Sequence, residues 1–275
     1  MSPWVGISGV ISVVLLGVCL GRLFSRLQKT YWLLGCFVPF VLLMMLVATR
    51  FNNGLHFTAP FSWIAVGRVR FITLSFAVSL GLTVPLSRLP YKWEKLIVCL
   101  LMAGFVVWFS VLPLLGPTLV RDRLSNLTTK FDTAGVCRQT TDYTCGPAAA
   151  VTALGRLGLA AEEGELAVLS YSSPITGTLP ECLYSALKSR YSADGLRCQY
   201  RHFDSVDQLR NAGVILAVVK EAFMTDHCLA VLNVTDDAVT VADPATGKRL
   251  MPHSQFKKIW RFSGIVLQRD SVQSI

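Results

Sequence analysis

The sequence predicts a membrane α-helical bundle followed by an α+β domain, and three observations carry that prediction. Charge divides the chain near residue 120: nine basic residues stand against one acidic residue, Glu94, up to Val120, while the remainder holds 17 basic and 16 acidic residues. Four apolar runs fill the first part. The second part shows helix-like apolar spacing as far as Arg190 and strand-like runs beyond Leu196. The expected organisation is therefore a membrane domain over 1–120, a polar linker over 121–132 and a second domain over 133–275.

The apolar runs extend from Val5 to Gly21, Tyr31 to Thr49, Phe61 or Phe71 to Leu86, and Leu96 to Gly116. About 20 helical residues cross a hydrocarbon core of roughly 30 Å, so each run is read as a span. The first run is not read as a cleaved signal, because Met1-Ser-Pro-Trp4 carries no positive charge and Arg22 and Arg26 lie on its far side. In the third run Arg68 and Arg70 are expected to snorkel to an interface, with pairing inside the bundle or a re-entrant segment as the alternatives. The basic connections Arg22, Arg26, Lys29 and Arg88, Lys92, Lys95 are expected in the cytoplasm, which with four spans places the second domain outside it; the middle connection also carries Arg50, Arg68 and Arg70, and losing the third span would place that domain in the cytoplasm. A net charge of +9 suits nucleic acid only when clustered on one face. Here the excess lies between apolar runs, so the expected partner is the lipid bilayer and not nucleic acid.

In the second domain Pro147 to Leu159 reads as a buried helix with proline in its first turn and Gly158 at its stop. Glu162 to Ser170 and Pro180 to Arg190 follow as helices. Val214 to Val219 is a buried strand, and His227 to Val234 with Ala238 to Ala242 form a hairpin around Thr235-Asp236-Asp237. Arg249 to Pro252 and Ser263 to Gln268 complete an antiparallel sheet, with a short helix from Ser254 to Trp260 between them. Helices first and strands later define an α+β fold that lays the first helix against the sheet.

That first helix opens at Cys145, six residues after Gln139, in the run Gln139-Thr-Thr-Asp-Tyr-Thr-Cys145-Gly-Pro-Ala. Unpaired N–H groups and the positive end of the helix dipole stabilise a thiolate at such a position. His227 on the hairpin supplies a base, Asp243 before Pro244 supplies a group to orient it, and the Gln139 amide supplies a donor for an oxyanion. His56, His202 and His253 are read as structural, and Cys228 as packing on the sheet face opposite His227. Cys19, Cys36 and Cys99 fall in spans as small apolar fillers. The five remaining cysteines permit one free thiol and up to two disulfides, and none has CxxC spacing, so neither a metal nor another cofactor is expected.

The order Gln139, Cys145-Gly146-Pro147-Ala148, His227-Cys-Leu-Ala-Val-Leu and Val241-Ala242-Asp243-Pro244 resembles the papain-like cysteine peptidases, and within them the double-glycine-leader, or bacteriocin-processing, branch. Thr176-Gly177-Thr178-Leu179 is similar to that branch's loop before its third helix. The resemblance covers about Val136 to Leu267 and implies a papain-like fold with Cys145 as nucleophile, His227 and Asp243 completing a triad, and Gln139 in the oxyanion hole. Thr144 departs from the aspartate that many members place before the cysteine. Best-known members belong to ATP-driven exporters, yet these 275 residues hold no Gly-x-x-x-x-Gly-Lys-Ser/Thr loop, so no ATP site is expected.

The implied activity is cleavage of a peptide or protein precursor, such as one with a leader peptide, at a multi-pass cell-membrane location and with a membrane-protein partner such as an exporter. Two alternatives stay open on sequence: a non-cleaving peptide-binding domain of an export or processing complex, and an acyltransferase working through the same thioester.

Overall fold

The computed structural model describes residues 3–222 and 225–269. Residues 1–2 of the expected membrane domain and 270–275 of the expected second domain lie outside them. The chain forms two compact units, Met1–Gly116 and Pro117–Ile275, and the architecture is the predicted one: long apolar helices, then an α+β domain.

The first unit begins with α1 (Pro3–Arg26) and α2 (Lys29–Phe51). A short helix α3 (Phe61–Ile64) is separate from α4 (Val69–Thr83), which a 3-10 turn extends to Arg88, so the third apolar run becomes continuous helix only from its later candidate start. The last span is α5 (Lys92–Val106), a π-helical turn (Val107–Val111) and α6 (Leu112–Leu119). By length and composition all four can cross a membrane. The third is the most buried of them, since α4 packs against α1, α2 and α5; the hydroxyls it turns inward, on Ser75, Ser79 and Thr83, donate to the carbonyls of Phe71, Phe76 and Ser79. Arg68 corrects the snorkelling expectation. It is buried within the unit and donates from Nη2 to the Leu114 carbonyl at 3.0 Å, the kind of partner a guanidinium needs where water is absent. Arg70 instead lies over the Phe71 ring.

In the second unit, part of the stretch read as a linker is folded. It contains α7 (Arg121–Ser125), which buries Leu124, and β1 (Lys130–Phe131), paired with β2 (Cys137–Arg138). The helices α8 (Cys145–Arg156), α9 (Glu163–Leu169) and α10 (Pro180–Tyr191) follow, α9 and α10 within a residue of their expected bounds and α8 starting two residues earlier and ending three earlier than expected. Six strands then build one antiparallel sheet in the order β3-β8-β4-β5-β6-β7. They are β3 (Leu196–His202), β4 (Val214–Ala222), β5 (Thr225–Val234), β6 (Ala238–Asp243), β7 (Gly247–Pro252) and β8 (Trp260–Arg269), with α11 (His253–Ile259) between the last two.

Period-two burial gives this sheet two cores. Leu216, Ala230, Ala242 and Ile265 pack with Ala149, Leu154, Leu183 and Leu187 from the helices. Ile215, Leu229, Val231 and Val241 pack on the other side with Phe203, Phe256 and Trp260. Such burial is what holds α8 on the sheet: Leu154 is fully enclosed, and truncating a leucine of that kind to alanine costs about 2–5 kcal/mol. The N-terminus of α8 is thereby fixed over the strands that carry His227 and Asp243.

Candidate active site

Cys145 is the first residue of α8, and the turn before it is held by side chains. The Thr144 hydroxyl donates to the Thr141 carbonyl at 3.1 Å and accepts from the Thr141 N–H at 3.2 Å. Its carbonyl starts the helix ladder by accepting from Ala148. Threonine at this departure from the family pattern thus works as a turn fastener. On the opposite side the Thr178 hydroxyl donates to the Tyr143 carbonyl at 3.0 Å and is itself linked to Ser172. Gly146 permits that approach, because a Cβ there would sit 3.2 Å from both the Thr178 and Leu183 side chains.

The pairing of Ala230 with Ala242 sets β5 against β6 and brings His227 and Asp243 together. His227 Nε2 lies 2.8 Å from Asp243 Oδ1, with both residues buried, and the Cys145 thiol is close enough to act on the ring electrostatically. The structure therefore gathers three of the four residues expected from sequence into one chain of contacts. Burial works against a charged imidazole, but the bond to Asp243 and the influence of the neighbouring Cys145 outweigh it and raise the His227 pKa to about 10. Burial likewise opposes ionisation of Asp243. Its bonds from His227, Thr246 and Ala245 win, and hold the carboxyl well below the usual range.

Asp243 accepts four hydrogen bonds. Oδ1 takes His227 and the Ala245 N–H at 2.8 Å, while Oδ2 takes the Thr246 hydroxyl at 2.8 Å and Arg249 Nη2 at 2.6 Å. Sequence reasoning missed Thr246 and Arg249. The available signal was the Asp-Pro-Ala-Thr-Gly run, a turn that folds its own third residue back onto the aspartate while β7 returns Arg249 beside it.

Gln139 follows β2 and is tied to the same turn, its N–H donating to the Pro244 carbonyl at 3.2 Å. The Arg138 guanidinium donates to the adjacent Ala245 carbonyl. The Gln139 side-chain oxygen is buried and, among the described residues, accepts no hydrogen bond. Backbone anchoring, more than side-chain bonding, sets where this amide lies.

All eight cysteines are free. Burial raises the Cys137 thiol to about 12, with Glu163 adding to the effect, and raises Cys198 to about 11 against the pull of Lys188. Cys228 is also raised, by burial and then by the Cys145 and Asp243 charges, and packs against the core shared with α8. No group of three or more His, Cys, Asp or Glu is placed to hold a metal among the described residues.

Residues 133–272 match the family model described as the peptidase C39 family. An uncharacterized protein of Methanothermobacter marburgensis is 31% identical over 135 residues, an alignment spanning 49% of this chain and 89% of that relative. Among solved structures, the peptidase domain of Streptococcus ComA, a bifunctional ABC transporter involved in quorum sensing, is 20% identical with a TM-score of 0.42, over 48% of this chain and 96% of that one. A double glycine motif protease from an AMS/PCAT transporter, solved with a leader peptide, is 14% identical with a TM-score of 0.41, over 53% and 96%.

Proposed function

This chain belongs to the peptidase C39 family, and we propose that it is a membrane-anchored cysteine endopeptidase that cleaves a peptide or protein precursor, with a leader peptide as the substrate class. The observation that carries the reading is the buried His227–Asp243 pair at 2.8 Å, with the Cys145 thiol at the start of α8 acting on the same ring.

With Nε2 committed to Asp243, Nδ1 already holds the Cys145 proton in a thiolate–imidazolium pair, and the thiolate attacks the scissile carbonyl. Charge that develops on the carbonyl oxygen is met by the Gln139 amide and the Cys145 backbone N–H at the start of α8. His227 then returns the proton to the leaving amine, a thioester forms, and water releases the acid. Asp243 holds the ring and stabilises its charged form throughout. None of these steps draws on a cofactor. The four apolar helices support a multi-pass anchor, and the arginine and lysine connections support placing the peptidase unit outside the cytoplasm. A membrane-protein partner such as an exporter fits a substrate that itself crosses the bilayer.

The test is to replace Cys145 with alanine in the producing cell and compare secreted and membrane polypeptides with wild type. A precursor that accumulates uncut, and is cut in vitro by wild type but not by the variant, is the expected result. Cleavage of that precursor by Cys145→Ala would overturn the mechanism. Transfer of the acyl group to an added amine in excess of hydrolysis would mark a transferase, and binding without product would mark a recognition domain. A topology reporter fused after Ile275 reads the side of the membrane.

A further inference from the structure

The loop from Gln139 to Cys145 is clamped at both ends, by Pro244 at Gln139 and by Thr178 at Tyr143. Between them stands a buried carboxylate that the proposed chemistry does not use. Glu163, with no exposed surface, accepts the Thr140 N–H on Oε1 at 2.9 Å and the Thr140 hydroxyl on Oε2 at 2.6 Å. A carboxylate is strongly hydrated in water, so enclosing it costs several kcal/mol unless strong bonds replace that hydration. Among the described residues, both hydrogen bonds to its carboxylate come from one residue, the neighbour of Gln139.

The placement of Glu163 is itself built. It opens α9, and its N–H donates to the Thr129 hydroxyl at 2.9 Å. Gly164 lets the end of α7 close over it: a Cβ at that position would lie 2.5 Å from the Leu124 carbonyl oxygen. From α7 through α9 to Thr140 there is thus a continuous mechanical path to the residue beside Gln139. Among the described residues the Gln139 side-chain oxygen accepts no hydrogen bond, so the anchors the structure gives this amide are backbone ones: the Gln139 N–H on Pro244 and the Thr140 N–H on Glu163.

We infer that Glu163 is a positioning residue for the oxyanion hole, fixing the Gln139 amide through Thr140. The inference rests on the proposed role of Gln139. Its signature is selective: stabilising a developing oxyanion depends on Gln139, whereas alkylation of the Cys145 thiolate develops no oxyanion.

The experiment uses the full chain in detergent and two probes, a Gly-Gly peptide amide of aminomethylcoumarin for turnover and iodoacetamide for the thiolate. Losing one oxyanion donor typically slows turnover about 10²- to 10³-fold, so Gln139→Ala should do so, and Glu163→Ala should reproduce about a tenth or more of that loss in kcat with little change in KM. Alkylation of Cys145 should stay within about threefold of wild type in both variants, and adding Glu163→Ala to Gln139→Ala should slow turnover by less than about twofold more, since coupled residues are non-additive. Glu163→Gln, which keeps an acceptor for the N–H and a donor for the hydroxyl, should restore most activity. Thr140→Val gives the same readings should Glu163→Ala fail to fold. Equal slowing of turnover and alkylation, or independent multiplication of the two losses, would overturn the positioning role. Unchanged turnover in Gln139→Ala, or no turnover and no alkylation in wild type, would instead overturn the reading on which it rests.

Discussion

His227 Nε2 and Asp243 Oδ1 stand 2.8 Å apart in a buried pair, and each is charged more readily because of the other. Replacing Asp243 with asparagine removes that charge while retaining shape. It offers an amide that can donate to Nε2 and so favours the wrong tautomer. Turnover should fall by about 10²- to 10⁴-fold, measured as kcat on the precursor, with far weaker effects on KM. A loss confined to KM would assign Asp243 to substrate binding.

The same pair sets a pH dependence whose direction follows from the shifts. His227 moves up from 6.5 to about 10 on folding, so its contribution to stability is complete below 6.5 and is lost as the pH rises toward 10. Asp243 moves down, so its contribution is present above 3.8 and is lost as acid titrates the folded carboxyl. The stability advantage of wild type over His227→Gln, from denaturant midpoints, should therefore be largest between these two limits and shrink steadily on the alkaline side. An advantage that grows with alkalinity would contradict the bonded imidazolium.

Thiol chemistry should single out Cys145 from three other cysteines of the peptidase unit. Cys137, Cys198 and Cys228 are held protonated by burial, while Cys145 faces a base and a helix N-terminus. Brief iodoacetamide treatment at neutral pH followed by peptide mapping should label Cys145 well before those three, and His227→Ala should remove the preference. Labelling of Cys228 at a similar rate would indicate a second reactive thiol.

How much of this site was legible in sequence depended on whether a residue's neighbours in space were also its neighbours in pattern. Cys145 opens an apolar helix and His227 lies near the start of a strand, so the apolar patterns around them placed both on their elements. Asp243 carried the mark of the following proline. Glu163 carried none: it is one of three glutamates in Glu162-Glu163-Gly164-Glu165, and only the closure of α7 over Gly164 decides which one turns inward. That closure was equally hidden, since Arg121-Asp-Arg-Leu-Ser125 is polar but for Leu124, and a single buried leucine makes no period. Strand β3 escaped for a related reason. It lies at the sheet edge, and its Arg197, Gln199 and Arg201 dilute the apolar signal. Arg68 was misjudged because hydropathy cannot foresee a carbonyl arriving from 46 residues away.

Arg249 should tune the pair more than hold it. Its side chain is 45% exposed and gives Asp243 one of four bonds, so solvent screening limits its worth. Arg249→Met should lower turnover only about three- to tenfold, the aspartate still being gripped by Thr246, Ala245 and His227. Removing a positive charge from beside the imidazolium also favours the charged ring, which moves the alkaline limb of the pH–rate profile upward. Lysine at this position should restore that limb. A limb that moves down, or a loss as deep as that of Asp243→Asn, would make Arg249 indispensable to the geometry.

Gly164→Ala tests whether the segment before the peptidase core belongs to its working structure. The added methyl meets a backbone oxygen at 2.5 Å, and α7 cannot yield by rotating a side chain, so the helix must move or α9 must. Overpacking of this kind costs about 1–3 kcal/mol, readable as a lower melting temperature of the peptidase unit's transition. A shift of α9 carries Glu163 with it and loosens Thr140. Turnover should then fall below what the fraction folded explains, while alkylation of Cys145 per folded molecule stays near wild type. If the variant melts lower but keeps full turnover at a temperature where it is folded, α7 serves stability alone and does not reach the loop of Gln139.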